Sequence, residues 1–440
     1  MIRARGEGGR VNQRIVRRVV VGLHALALCG FASARASHAQ RGVQPAVHPL
    51  GPIEARCSGT FGNVKGVRQL SDGSVLVSDN SRLQLLLFDS TLSHSRVILD
   101  SVSGARFRYL RYRSHTGLLA PFTAESTLFL DEASSAYLVV GPHGEMARVI
   151  GIPGNDLANI RNMSALFTQV IDPAGRLVYQ TTATPLMQVK GHPLQAGPRA
   201  DSVALVRTRP VTGDLDTLAW IRVPTTYGNP PLVNPVPLND DWALFADGSI
   251  AIVREYDFHV DWIGPDGTVR HTGRTPFDWQ RLTDSAKEAL TDSAHAYYVA
   301  HPLPNYTTFL GVDNGTRTYA AFAPDAVPDS ALPDYAPPFG GHTALGDADM
   351  HLWIAVFSNG QLPPADLAIP SGGRSTAPPP PPPAGPRDGL VYDVIDRNGA
   401  LIDRVQIPGG TTIAGFGPGG AVYLTSREGD GVHLVRARIR

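Results

Sequence analysis

The chain repeats itself, and that repeat restricts its possible folds more than any other feature. The stretch VRQLSDGSVLVSDNSRLQLLLFDSTLSHSRVI from Val67 lies without a gap on LAPFTAESTLFLDEASSAYLVVGPHGEMARVI from Leu119. Val75, Leu76 and Val77 fall on Thr127, Leu128 and Phe129, and Leu85 to Phe88 fall on Tyr137 to Val140. A third copy, WALFADGSIAIVREYDFHVDWIGPDGTVRHTG, starts at Trp242 and puts Gly248 in the place of Gly73. Looser copies near Leu166, near His342 and at Thr412 bring the total to six. Within each copy the apolar runs are short and separated only by turn residues such as SDG, GPHG and GPDG. That spacing makes strands and leaves no room for helices between them. Six units of four short strands predict an all-β fold, a six-bladed β-propeller of four-stranded antiparallel blades. The blades are expected at about 64–99, 118–151, 166–224, 241–274, 342–408 and 412–439. The last has three strands of its own, and residues 52–57 are expected to add the fourth and close the ring.

The first unit carries a more particular pattern. GVRQLSDGSVLVSDNSRLQLLLFD from Gly66 has a DG turn, a strand ending in Asp, and a polar turn with Arg before the next strand. With Asp72, Gly73, Asp79 and Arg82 in place it resembles an NHL-type repeat, and the chain as a whole is similar to secreted six-bladed propellers of the TolB-like kind. Blades two and four lack the Arg and blades three and five are interrupted by insertions, so the resemblance implies fold more than function.

The repeat is broken on one face only. Turns on the first face stay tight, whereas the long connections at 100–117, 225–240 and 275–341, and those at 184–201 and 358–389, all fall on the opposite face. Long loops on one side of a rigid scaffold are where binding residues collect. The spacing of Leu282, Ala286, Ala289, Leu290 and Tyr297 predicts a helix within the 275–341 insertion, capped by Thr283 or Asp284. The tract APPPPPPAGPRDG, within 358–389, reads as extended polyproline.

Candidate site residues follow from that face. The resemblance extends to propeller lactonases and related hydrolases, and it implies a divalent cation at the channel mouth, held by the entries to the inner strands. Here those entries are Lys65, Leu118, Leu166, Asp240 with Asp241, His342 and Thr412, of which Asp241 and His342 are of ligand type. Arg254, Glu255, Tyr256 and Asp257 form a polar cluster on the same side, able to orient a ligand or to act as an ion-paired turn. His115, His192, His259, His301 and His342 also map there, and no pair among them shows ligand spacing. The ligand-binding set is therefore Asp241, Arg254, Tyr256, His259 and His342. No GxSxG elbow, HExxH, phosphate-cradling loop or dinucleotide fingerprint occurs, so no catalytic set is assigned.

The ends and the composition supply the setting. Arg10, Arg14, Arg17 and Arg18 precede the apolar run VVVGLHALALCGF and the small-residue stretch ASARASHAQ, which reads as an export signal over 1–39 and a periplasmic or extracellular protein of 40–440. Signal removal leaves Cys57 as the only cysteine, an inert structural thiol. Lys plus Arg balances Asp plus Glu at 39 each, and no basic stripe appears, which argues against nucleic acid as a partner. The expected function is recognition of a protein, peptide or envelope polymer by a monomer, without cofactor or covalent chemistry. The alternative is a metal-dependent hydrolase or lyase with a divalent cation.

Overall fold

The computed structural model describes residues 44–101, 109, 118–131, 136–151, 169–181, 186–187, 195–196, 201–208, 215–223, 232–300, 303–313, 316–322, 325–357, 389–429 and 431–439. The segment expected to be an export signal, the prolines of the polyproline tract, His115, His192, His301 and Leu166 lie outside them.

Six antiparallel sheets succeed one another along the chain. Blade one consists of Val64–Gln69, Val75–Asp79, Gln84–Phe88 and Ser95–Leu99; blade two of Leu119–Pro121, Thr127–Asp131, Ala136–Val140 and Met146–Gly151. Blade three has Gln169–Ile171, Leu177–Gln180, Ser202–Thr208 and Leu215–Arg222, and blade four Asp241–Leu244, Ile250–Arg254, His259–Ile263 and Val269–Arg274. Blade five uses Phe339–Gly346, Leu352–Val356, Val391–Ile395 and Leu401–Gln406. Blade six has Thr411–Gly417, Ala421–Glu428 and Gly431–Arg438, and Ile53–Arg56 adds antiparallel to its outer edge.

Strand alternation explains how the sheets become a propeller. Val75 and Val77 pack on blade six with Tyr423 and Leu434, whereas Leu76 between them packs on blade two with Phe129 and Leu138. Leu128 and Leu130 face blade three, and Val178 faces blade four with Ile250 and Ile252. Ala251 and Val253 face blade five, and Trp353 and Ala355 face blade six. Because both faces of each sheet are buried, the second strands are apolar without interruption instead of alternating with polar residues. The tight turns are built alike: Asp72, Asp247 and Asp266 accept the N–H two residues on at 2.9 to 3.0 Å. The next residues, Gly73, Gly248 and Gly267, sit at φ of +85°, +84° and +87°, which disfavours any side chain.

Two features go beyond the repeat. His48–Pro49 pairs in parallel with the outer strand of blade five, so the segment before blade one touches two blades. The 275–341 insertion contains the helix Asp284–Ala300, with Thr283 Oγ1 accepting the N–H of Ala286 at its start, and also a hairpin, Leu303–Asp313 with Thr316–Phe322, that was not expected. The signal for that hairpin is present in the Asp-Asn-Gly run from Asp313, flanked by β-branched and aromatic residues. The helix packs on its own insertion: Lys287 Nζ donates to Asp334 Oδ1 at 3.0 Å. An edge-to-face aromatic series from Phe258 through Phe277 and Trp279 to Tyr335 ties the insertion to blade four.

Candidate functional site

Four of the five residues expected to bind a ligand belong to blade four, at the edge that faces the insertions. Asp241 opens its inner strand, Arg254 ends the second strand, Tyr256 lies in the connection and His259 opens the third. The fifth, His342, lies in the inner strand of blade five, and the residue after it contacts Asp241.

Asp241 is fully buried, and its carboxylate fastens two blades. Oδ2 accepts the N–H groups of Thr343 and Ala344 at 2.5 and 2.8 Å, and Oδ1 accepts that of Trp242 at 2.8 Å. Three backbone donors satisfy much of a carboxylate's capacity, so the residue expected to hold a cation is engaged as an inter-blade clamp.

Asp240 and Arg254 form the polar centre of the edge. Arg254 donates through Nη1 to Asp240 Oδ2 at 2.8 Å and to the Trp220 carbonyl of blade three at 2.7 Å, and through Nε to Asp261 Oδ2 at 2.7 Å. Asp240 also accepts the N–H of Arg222 at 2.9 Å. Arg222 in turn lies 5.7 Å from the Tyr256 ring, which is 74% exposed, in a cation–π arrangement.

Glu255 occupies the opposite environment. It is 1% exposed; Oε2 accepts the N–H of Asn239, and Oε1 is buried with no hydrogen-bond partner among the described residues. Burial, reinforced by the negative charges of Asp240 and Asp241, pushes its carboxyl well above the ordinary carboxylate range. The chain order Asp240, Asp241 and Arg254, Glu255 therefore places an ion-paired aspartate and arginine beside a buried carboxyl whose titration is pushed upward.

A second group lies on the blade-three side of the same blade. Asp261 is directly opposite His271 on the outer strand, and His259 is two residues before it on the same face. Asp261 Oδ1 takes His271 Nδ1 at 2.6 Å and His259 Nε2 at 3.2 Å, while His259 Nδ1 faces Asp257 Oδ1 at 2.6 Å. Burial opposes ionisation of Asp261, but hydrogen bonds from His271 and Arg254 hold its carboxyl below the usual range. Loop positions alone point to His259 and not to Asp261 or His271; the local signal for those two is His-x-Asp on one strand with a His beyond the four-residue turn on the next.

The residues of the NHL-like pattern serve packing. Asp79 is fully buried and accepts the N–H groups of Gly62, Asn63, Ser81 and Arg82 at 2.7 to 3.1 Å, and Arg82 donates to Thr60. They join the strand that completes blade six to blade one. Cys57 lies in the same core, where burial, with the charge of Asp89, pushes its thiol up to about 12.

No helix of the described residues is long and apolar enough to cross a membrane. No protein-family model matches the chain, and no curated protein matches it. Among solved structures the chain is similar to a gluconolactonase from Xanthomonas campestris, with 12% identity, a TM-score of 0.36, and coverage of 90% of this chain and 97% of that one. It is similar to the calcium-binding protein regucalcin from Agrobacterium tumefaciens, with 12% identity, a TM-score of 0.36, and coverage of 90% and 98%. It is also similar to virginiamycin B lyase from Staphylococcus aureus, with 9% identity, a TM-score of 0.35, and coverage of 88% and 98%.

Proposed function

We propose that this protein is an exported propeller enzyme of the hydrolase or lyase class, which receives a small polar ligand on its insertion-bearing face and transfers a proton to it from Glu255 once ligand entry uncovers that buried carboxyl. The observation that carries the reading is the contrast between Glu255 and its neighbours. A carboxyl whose pKa is raised by burial is suited to general-acid work, and a carboxylate beside it can stabilise developing positive charge. Asp240, ion-paired with Arg254 and accepting the Arg222 N–H, is the neighbouring carboxylate. Tyr256 and Arg222 offer an exposed aromatic and cationic surface on which a ligand can rest. Because Asp241 is bound to the backbone of blade five, this proton transfer is assigned to Glu255 and Asp240 without it.

The test is turnover of a panel of lactones, carboxylic esters and elimination substrates by wild-type protein and by Glu255→Gln. The expected result is turnover of at least one class, reduced by about a hundredfold or more in the variant. Equal turnover by the two proteins would remove Glu255 from the mechanism. Binding without chemistry is the second reading, favoured by the engagement of both Asp241 oxygens; saturable ligand binding with no turnover across the panel would select it. Export rests on the amino-terminal signal pattern, and secreted protein beginning at Gln40 is the expected product.

A further inference from the structure

We propose that His259, Asp261 and His271 form a binding site for a zinc-class divalent cation on the outer half of blade four. One ligand atom from each lies within 4.8 Å of the other two. Two ligands of a tetrahedral zinc ion stand roughly 3.3 Å apart when each bond is about 2.0–2.1 Å. His259 Nε2 and Asp261 Oδ1 are already 3.2 Å apart. His271 Nδ1, at 2.6 Å from the same oxygen, needs to withdraw by well under an ångström, and its side chain is 70% exposed and free to do so.

The surroundings are those of a ligand set. Asp257 takes the second ring nitrogen of His259 and so orients the first toward the site, the usual arrangement behind a metal-bound imidazole. Arg254 holds the second oxygen of Asp261, leaving Oδ1 directed at the two histidines.

The repeat itself shows that the two histidines are particular to blade four. Blade five has a buried aspartate, Asp393, at the equivalent position, opposite Ile354 and Arg404 as Asp261 is opposite Ile252 and His271. There the side-chain partner across the strand pair is an arginine: Arg404 Nε donates to Asp393 Oδ1 at 2.9 Å. Blade four already has Arg254 in that role and adds two imidazoles. Two nitrogen donors and one carboxylate suit zinc, cobalt or ferrous iron, whereas calcium takes oxygen ligands only. The exposed side of His271 leaves coordination positions open to water or a ligand, as in catalytic rather than structural zinc sites.

Chelator-stripped full-length protein titrated with Zn²⁺ by calorimetry, and with Co²⁺ by its visible absorption, tests this site. One ion per chain is expected, undisturbed by excess Ca²⁺. His271→Asn and His259→Gln should abolish stoichiometric binding while leaving the circular dichroism of the metal-free state unchanged. Asp257→Asn should weaken it about 10- to 100-fold. Failure of the wild-type chain to bind Zn²⁺ or Co²⁺ stoichiometrically, or binding unchanged in both histidine variants, overturns the proposal. The readout does not depend on Glu255, so a zinc-loaded chain without turnover leaves this site standing and counts only against the enzymatic reading.

Discussion

At the scale of single residues, the burial of Glu255 makes its contribution to stability depend on pH. Its carboxyl stays protonated in the fold at pH values where the unfolded chain has released that proton. The folded state therefore binds more protons, and the contribution of this group to stability is largest at low pH and declines as pH rises past the ordinary carboxylate range. Glu255→Gln keeps the shape and removes the titration. The melting temperature of the variant should match or fall below wild type near pH 4 and exceed it near pH 8, the gap growing by at most about 1.4 kcal/mol per pH unit. A gap that is constant with pH would show that Glu255 is ionised in the fold. Cys57 provides a second check: with its thiol pushed up to about 12 and buried, native protein should resist thiol-labelling reagents that react at once after denaturation.

At the scale of elements, the inner strands of blades four and five depend on Asp241. Removing its carboxylate leaves the Thr343 and Ala344 N–H groups buried without acceptors, and each such loss costs about 1–3 kcal/mol. Asp241→Ala should therefore lower stability by roughly 3 kcal/mol in chemical denaturation, with Asp241→Asn intermediate because it keeps one oxygen. A variant as stable as wild type would mean that the inter-blade clamp contributes nothing. The strands themselves were legible in the sequence because their pattern is local: apolar runs of fixed length, Asp-Gly turns and a constant spacing. The blade-four site was only half legible. Asp241, Arg254, Tyr256 and His259 follow from their place in the repeat, whereas the sequence offers Glu255 only as one member of a polar cluster able to orient a ligand or to act as an ion-paired turn. Its burial depends on Asn239 and Asp240 of the preceding connection, and no local pattern reports that.

At the scale of the molecule, the ring is held by the segment that precedes blade one. Ile53–Arg56 completes blade six, His48–Pro49 extends blade five, Leu50 enters the core between them, and His48 Nε2 meets Asp403 at 2.8 Å. Protein beginning at residue 58 should lose all of these, expose the edge of blade six, and aggregate or melt well below full-length protein in thermal scans with size-exclusion chromatography. A monomer of unchanged melting temperature would show that the ring closes without this segment. The six-bladed propeller was determined by the sequence alone, because six repeats of short apolar runs joined by one turn chemistry leave one architecture that buries both faces of the sheets. Which side chains meet at blade four was decided only by tertiary structure. The hairpin register sets Asp261 opposite His271, and the packing of blade three supplies the carbonyl that positions Arg254, so charges distant or unremarkable in the chain come within bonding distance.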